Sequence, residues 1–201
     1  NIKRLADDFN KVDEGTLTIA TTHTQARYVL PPIVNAFKKL FPKVHLILQQ
    51  ASPTEIVEML LLGLADIGIA TESLMAEDNL GSVSFYNWKH CIITPNDHPL
   101  AQLNPREITL EKLAQYPIIT YHGGFTGRSK IDTAFDDAGL NADIVMSALD
   151  ADVIKTYVEL GMGVGIVNDV AYDTERDHRL KQIDTDSFGV NTTWIAVRKG
   201  H

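Results

Sequence analysis

Between positions 28 and 41 the apolar residues Leu30, Ile33, Val34, Phe37, Leu40 and Phe41 recur three and four apart. That spacing gathers them on one face of a helix. Pro31 and Pro32 are compatible with such a helix in its first turn, where a missing amide costs nothing, and Pro42 ends it. Ahead of it, residues 16–21 are short, β-branched and bounded by Gly15, and residues 44–50 read the same way after it. Both are predicted strands. A helix over 53–62 closed by Gly63 and a glycine-interrupted strand over 67–70 complete the run. Strand and helix alternating in this way require right-handed crossovers and a parallel sheet. Residues 16–70 are therefore predicted to form an α/β unit.

The pattern then changes. Two apolar stretches, 81–88 and 89–94, follow without an intervening helix. A second alternating run comes next: helix near 109–114, strand 118–121, helix 128–138, strand 143–146, helix 151–160 and strand 164–167. Two further strands are expected over 180–184 and 191–197. At the other end, residues 1–14 are polar with Ile2, Leu5 and Phe9 at helical spacing, which fits the end of a linker helix. The expected organisation is α/β, with two Rossmann-like lobes: lobe I from 15–87 and 190–201, lobe II from 88–189. Two strands would cross from one lobe to the other, and a cleft between lobes is a common place for a small ligand.

Composition narrows the function classes. The 201 residues are 44% hydrophobic and 22% charged, enough apolar material for a sizeable core. Lysine and arginine number 18 against 26 acids, a net charge of -8. A surface that recruits DNA through its phosphates needs the opposite balance, so contact with DNA is not expected from this chain alone. The single cysteine, Cys91, excludes an internal disulfide and an all-cysteine metal site. Its apolar neighbours Ile92 and Ile93 predict a buried thiol, which fits a reducing cytoplasm. No stretch is long enough to span a membrane and no signal peptide is visible. The chain opens at Asn1 rather than methionine, so it is expected to be an excised piece.

In open α/β sheets, ligands bind beyond the carboxyl ends of the strands, where helix N-termini present free N–H groups. Those junctions are rich in hydroxyls here. Thr21, Thr22, His23, Thr24 and Gln25 follow the first strand, Ser52 and Thr54 the second, and Thr71 the third. In the second lobe the junction reads His122-Gly123-Gly124-Phe125-Thr126-Gly127-Arg128-Ser129. Hydroxyls and backbone amides suit an oxygen-rich anion, glycines let the backbone approach it, and Arg128 would add a fixed positive charge. The same residues are also ordinary N-caps and loop glycines. Composition and spacing leave both readings open.

Other candidates carry less. Gly161, Gly163 and Gly165 imitate a dinucleotide fingerprint, but helix precedes and strand follows, the reverse of what that motif requires. Asp150 and Asp152 read as the acidic start of the next helix. His90, His98, His178 and His201 read as solvated or edge residues, without metal-ligand spacing. No activated nucleophile or carboxylate pair stands out, so no catalytic residue and no metal ligand is assigned.

The hydroxyl-rich junctions also carry a family resemblance. The segments TLTIATTHTQARYVL (16–30), LADIGIATESL (64–74), DHPL (97–100), GFTGRS (124–129) and DADVIKTYVELGMGVG (150–165) resemble the effector-binding domain of LysR-type transcriptional regulators, in the CysB/Cbl branch. The similarity covers nearly the whole chain. It implies two lobes of the periplasmic-binding-protein type II, joined by two crossover strands, in a cytoplasmic regulator of sulfur assimilation and cysteine biosynthesis. It further implies a homodimer (a tetramer for the whole protein) paired through the helix at 28–41 and the strand at 44–50. DNA would be bound only by an N-terminal domain outside this chain. The implied ligand is a small effector: sulfate, thiosulfate, acetylserine or adenosine phosphosulfate, with no other cofactor. The branch's binding positions fall on Thr22, Thr24, Gln25, Thr71 and Thr126, and the neighbours His23, Gly127 and Arg128 match the motif. The segment 122–124 departs from the branch's pattern, which leaves the choice of effector open. The alternative on the same two lobes is a periplasmic-type solute-binding protein for a small anion or amino acid.

Overall fold

The computed structural model describes residues 14–71, 74 and 77–200, so the linker helix expected over 1–14 lies, but for Glu14, outside the described residues. The chain divides into two compact units. One takes the residues up to Tyr86 and those from Thr193 onward; the other is Asn87–Thr192.

In the first unit, β1 (Gly15–Thr21) lies parallel to both β2 (Val44–Gln50) and β3 (Ile67–Ala70). The outer side of β3 is taken by β9 (Val190–Arg198), antiparallel, with Gly68 opposite Ala196 and Ala70 opposite Trp194. The strand order is thus β2-β1-β3-β9, which leaves β2 as an edge. A helix precedes β2. Its regular part is α1 (Leu30–Leu40), but the chain is already helical from His23, through a wide π-helical turn over Gln25–Val29. The prolines therefore do not sit in the first turn of the helix, as the sequence suggests. Pro31 comes two turns in, where its ring would press on the carbonyl four residues back. The wide turn, in which Leu30 N–H bonds to Gln25 O, makes room for it.

Helix α2 (Pro53–Leu61) connects β2 to β3. Ser52 and Glu55 form a reciprocal capping box at its start. It crosses β3 at Gly68, where a Cβ would stand 2.6 Å from Leu60 Cδ1 and 2.8 Å from Ile56 Cγ2. The glycine is therefore what lets helix and strand touch, and Ile56, Leu60, Ala20, Ala70, Leu74, Leu80 and Ala196 close the core around that contact.

The second unit repeats the device. Strand β4 (Leu80–Pro95) enters it at residue 87 and continues for 16 residues in all, so the two apolar stretches read from the sequence are one strand. Polar residues at Asn87, Lys89 and His90 break the apolar pattern, yet from His90 to Thr94 every position is buried, because strands lie on both sides. The remaining elements are α3 (Leu110–Leu113), β5 (Ile118–Tyr121), α4 (Arg128–Asp137), β6 (Ile144–Ala148), α5 (Ala151–Glu159), β7 (Val164–Asn168) and β8 (Leu180–Ile183). β5 runs parallel to β6 and β7, while β4 is antiparallel to β7 and β8. α5 meets β7 at Gly165, where a Cβ would lie 2.4 Å from Ile93 Cγ1 and 2.9 Å from Val158 Cγ2. Ile92, Ile118, Ile131, Phe135, Val164, Ile166 and Phe188 fill the core beneath.

Cys91 is buried in β4 as expected, and loss of hydration pushes its thiol up to about 12, far from the thiolate a reactive cysteine needs. Among the described residues no helix is long and apolar enough to cross a membrane.

Candidate functional site

The first unit gathers five of the eight sequence-predicted binding residues on one sheet edge. β1 and β3 are parallel neighbours with Thr21 opposite Ile69, so Thr22 and Thr71 leave adjacent strands at the same carboxyl end. The helix opens at once from His23, and its first bond to a carbonyl four residues back runs from Ala26 N–H to Thr22 O at 3.3 Å. Thr24 and Gln25 are buried there, each 3% exposed. Tyr86 O–H donates to Gln25 Oε1, which fixes the amide with its N–H₂ as the remaining donor. His23 pairs through Nδ1 with Gln50 Oε1 at 3.2 Å, tying the loop to the last residue of β2. Ser52 is not part of this set. Its hydroxyl accepts from Glu55 N–H at 3.2 Å, so at that junction the capping reading holds.

The second unit carries the other three on the turn after β5. Gly124, Thr126 and Gly127 all have positive φ, of 86°, 44° and 69°. Thr126 is the one non-glycine residue in that region among those described. For a β-branched side chain the conformation costs on the order of 1–3 kcal/mol and persists only where the surroundings impose it. His90 contacts this turn directly. Its Nε2 lies 2.8 Å from Thr126 O. A carbonyl only accepts, so the ring carries its proton on Nε2 and leaves Nδ1 bare. That nitrogen is buried without a partner.

His90 corrects a sequence expectation. The sequence predicts a solvated or edge residue, yet His90 is 1% exposed, and burial lowers its pKa to about 4. The ring stands edge-on to Trp88 at 4.9 Å and to Phe188 at 6.0 Å. A Cβ on Gly127 would come within 2.7 Å of its Cε1, so the turn and the imidazole are in direct packing contact. The alternation along β4 is too broken by polar residues to announce this, and 36 positions separate His90 from Thr126. Trp88, also missed, is 3% exposed with an indole N–H that has no partner.

Arg128 is placed less freely than its sequence position suggests. Its Nε donates to Asp132 at 2.8 Å and Nη1 to Tyr121 O at 2.6 Å. The guanidinium thus ties the first turn of α4 to the end of β5, with its charge largely answered by Asp132. Beside it, His122 Nδ1 pairs with Ser147 Oγ at 2.8 Å, linking the ends of β5 and β6.

The weaker candidates resolve as structure. Asp150 caps α5 through Val153 N–H, and Gly161 leaves that helix with φ of 78° before β7 begins. His98 caps a short turn by accepting from Leu100 N–H, His178 is exposed, and His201 lies outside the described residues. Taken singly, neither unit's described residues bring three histidine, cysteine or carboxylate ligands close enough to share an ion.

Comparison with known proteins places these features. The family described as LysR substrate binding domain matches residues 10–201. The transcriptional regulators SsuR and CysB of Burkholderia cenocepacia are each 50% identical over all 201 residues. The chain spans 65% and 64% of their respective lengths, less than two thirds of each. Among solved structures, the cofactor-binding domain of the Cbl transcriptional regulator is 48% identical, with a TM-score of 0.87 over 94% of this chain and 82% of that one.

Proposed function

The chain belongs to the LysR substrate binding domain family, with the two-lobed fold of type II periplasmic-binding proteins, and from that premise we propose that it senses a small sulfur-containing effector or oxyanion. Its relatives are named as transcriptional regulators, which supports a regulatory rather than a catalytic or transport role. In this reading Thr22, Thr24, Gln25 and Thr71 supply hydroxyl, amide and backbone donors from the first unit, and the Thr126 turn contributes from the second. The observation that carries it is the edge of parallel strands where buried Thr24 and Gln25 open a helix beside Thr71. Fixed donors at such an edge suit sulfate, thiosulfate, acetylserine or the phosphosulfate of an adenylate. DNA would be read by a segment preceding this acidic domain, in the cytoplasm.

Replacing Thr24 with valine keeps the volume and removes one donor. A hydrogen bond to a charged ligand contributes about 1.5–3 kcal/mol, so affinity for the bound member of that set should fall at least about tenfold with the melting temperature nearly unchanged. Titration calorimetry with each of the four compounds reads this out; an unaltered affinity sinks the assignment.

The same reading includes a homodimer. Ile47 and Leu48 are exposed on edge strand β2, and Ile33 and Leu40 on α1 beside it, so a polar surface does not protect this edge. Sedimentation should show a dimer that Leu40→Glu converts to monomer; a monomeric parent chain argues against it.

A further inference from the structure

The turn at Thr126–Gly127 is held from outside itself. Its own backbone conformation is unfavourable, and nothing in the sequence from 122 to 129 other than its glycines favours it. The hydrogen bond that reaches it from another element comes from His90 on β4, and the same imidazole packs against the Cα of Gly127. Three further observations mark His90 as placed for this task. It is almost wholly buried between Trp88 and Phe188, which leaves the ring one orientation. Its second nitrogen has no partner, so the imidazole carries an unmet acceptor, a cost an apolar side chain would avoid. Asn191, on β9, approaches the same point, its Oδ1 3.3 Å from where a Cβ on Gly127 would stand.

We propose that His90 is a positioning residue for effector binding: through Nε2–H it holds Thr126 in the left-handed conformation that presents this turn to the ligand. The proposal rests on the sensing role given above, because it assumes that Thr126 meets the effector. His90 itself touches no ligand. It acts through the turn, so its loss should be felt as affinity and as turn mobility rather than as stability alone.

Two variants separate these effects. His90→Phe keeps a ring of similar size and deletes the donor. His90→Gln deletes the ring but can return an N–H near the position of Nε2. Each is compared with the parent chain by calorimetry with sulfate and with acetylserine, and by amide hydrogen exchange over residues 122–129. With His90→Phe, exchange in that segment should rise and affinity should fall about tenfold or more. With His90→Gln, protection of the turn and most of the affinity should return, although the lost ring contacts lower the melting temperature. A merely structural histidine would give the opposite ordering, with Phe the milder change and affinity tracking stability. Unchanged exchange in His90→Phe overturns the proposal, as does normal affinity despite a loosened turn. Failure of the parent chain to bind either compound counts against the effector class instead, and the exchange measurement then decides whether His90 holds the turn.

Discussion

Replacing Asp177 with alanine should destabilise the second unit by roughly 3–5 kcal/mol, the usual cost of breaking a buried ion pair by removing one partner. Lys155, on α5, is among the few charged residues buried here, with its side chain 8% exposed. Its ammonium donates to Asp177 Oδ2 at 3.0 Å and to Ala171 O at 2.8 Å. Asp177 in turn accepts Asp173 N–H at 2.8 Å on the same oxygen. The pair therefore fastens α5 to the loop after β7 from both directions. Without Asp177 the ammonium keeps one carbonyl and the more distant Asp152, 3.6 Å away and partly solvated. That residual partner places the expected loss toward the lower end of the range. Lys155→Met alone should also destabilise, because Asp177 then stays buried with only a backbone donor. The double variant Lys155→Met with Asp177→Leu should recover much of the loss, since replacing both charges with apolar groups avoids their desolvation. Urea unfolding of the three variants closes the cycle; additive effects would show that the pair is not coupled.

Acid should remove about 3 kcal/mol of stability through His90, the energy equivalent of lowering a histidine pKa from 6.5 to about 4. Between these values the unfolded chain binds a proton at this residue and the folded chain does not. Stability is thus fully present above pH 6.5 and declines as pH falls toward 4. Burial is the main cause of the low pKa. The hydrogen bond to Thr126 opposes it, and the positive charge of Lys130 adds to it. His98 shifts in the same direction, again through burial. Exposed Glu55, whose bonds to Ser52 lower its pKa, adds its own loss only at lower pH. Asp169 works the other way, its carboxyl raised by burial. The histidine's share is isolated by comparing pH profiles of urea unfolding. His90→Phe should start lower at pH 7 but lose about 3 kcal/mol less on descent to pH 4. Parallel profiles would show that His90 titrates normally.

Much of the fold is legible in the chain because its elements follow local rules. β2, β3 and β5 begin and end at the residues expected from their short apolar runs. The helices at 53, 128 and 151 begin where an N-cap or a loop glycine leads into apolar periodicity. What escapes is set by distant neighbours. The continuity of β4 depends on strands contributed from residues 164 and 180 onward, which cover polar positions that look like an interruption. The wide turn before Pro31 answers a steric demand that periodicity does not express. The candidate binding positions are legible as strand-to-helix hydroxyls, and in the structure they stand at strand ends in their respective units. Their supports are not. His90 and Tyr86 lie 36 and 61 positions from the residues they hold, and a lone histidine in a strand carries no signal of a partner so far along the chain.

The route of the chain through its two units also sets a timetable for synthesis. The second unit is one uninterrupted segment, Asn87–Thr192, and has all its strands once that segment has left the ribosome. The first unit is begun earlier and finished later, because β3 has a bare hydrogen-bonding edge until residues 194–196 arrive to pair with it. That edge belongs to Gly68, Ile69 and Ala70, an apolar strand with no charge or proline to discourage pairing with a neighbouring nascent chain. Residues 194–196, which reach the first unit only after the whole second unit has been made, therefore carry a disproportionate share of the protection against misassembly. Truncations or stalls just short of Trp194 would leave a completed second unit tethered to an unfinished, adhesive first one.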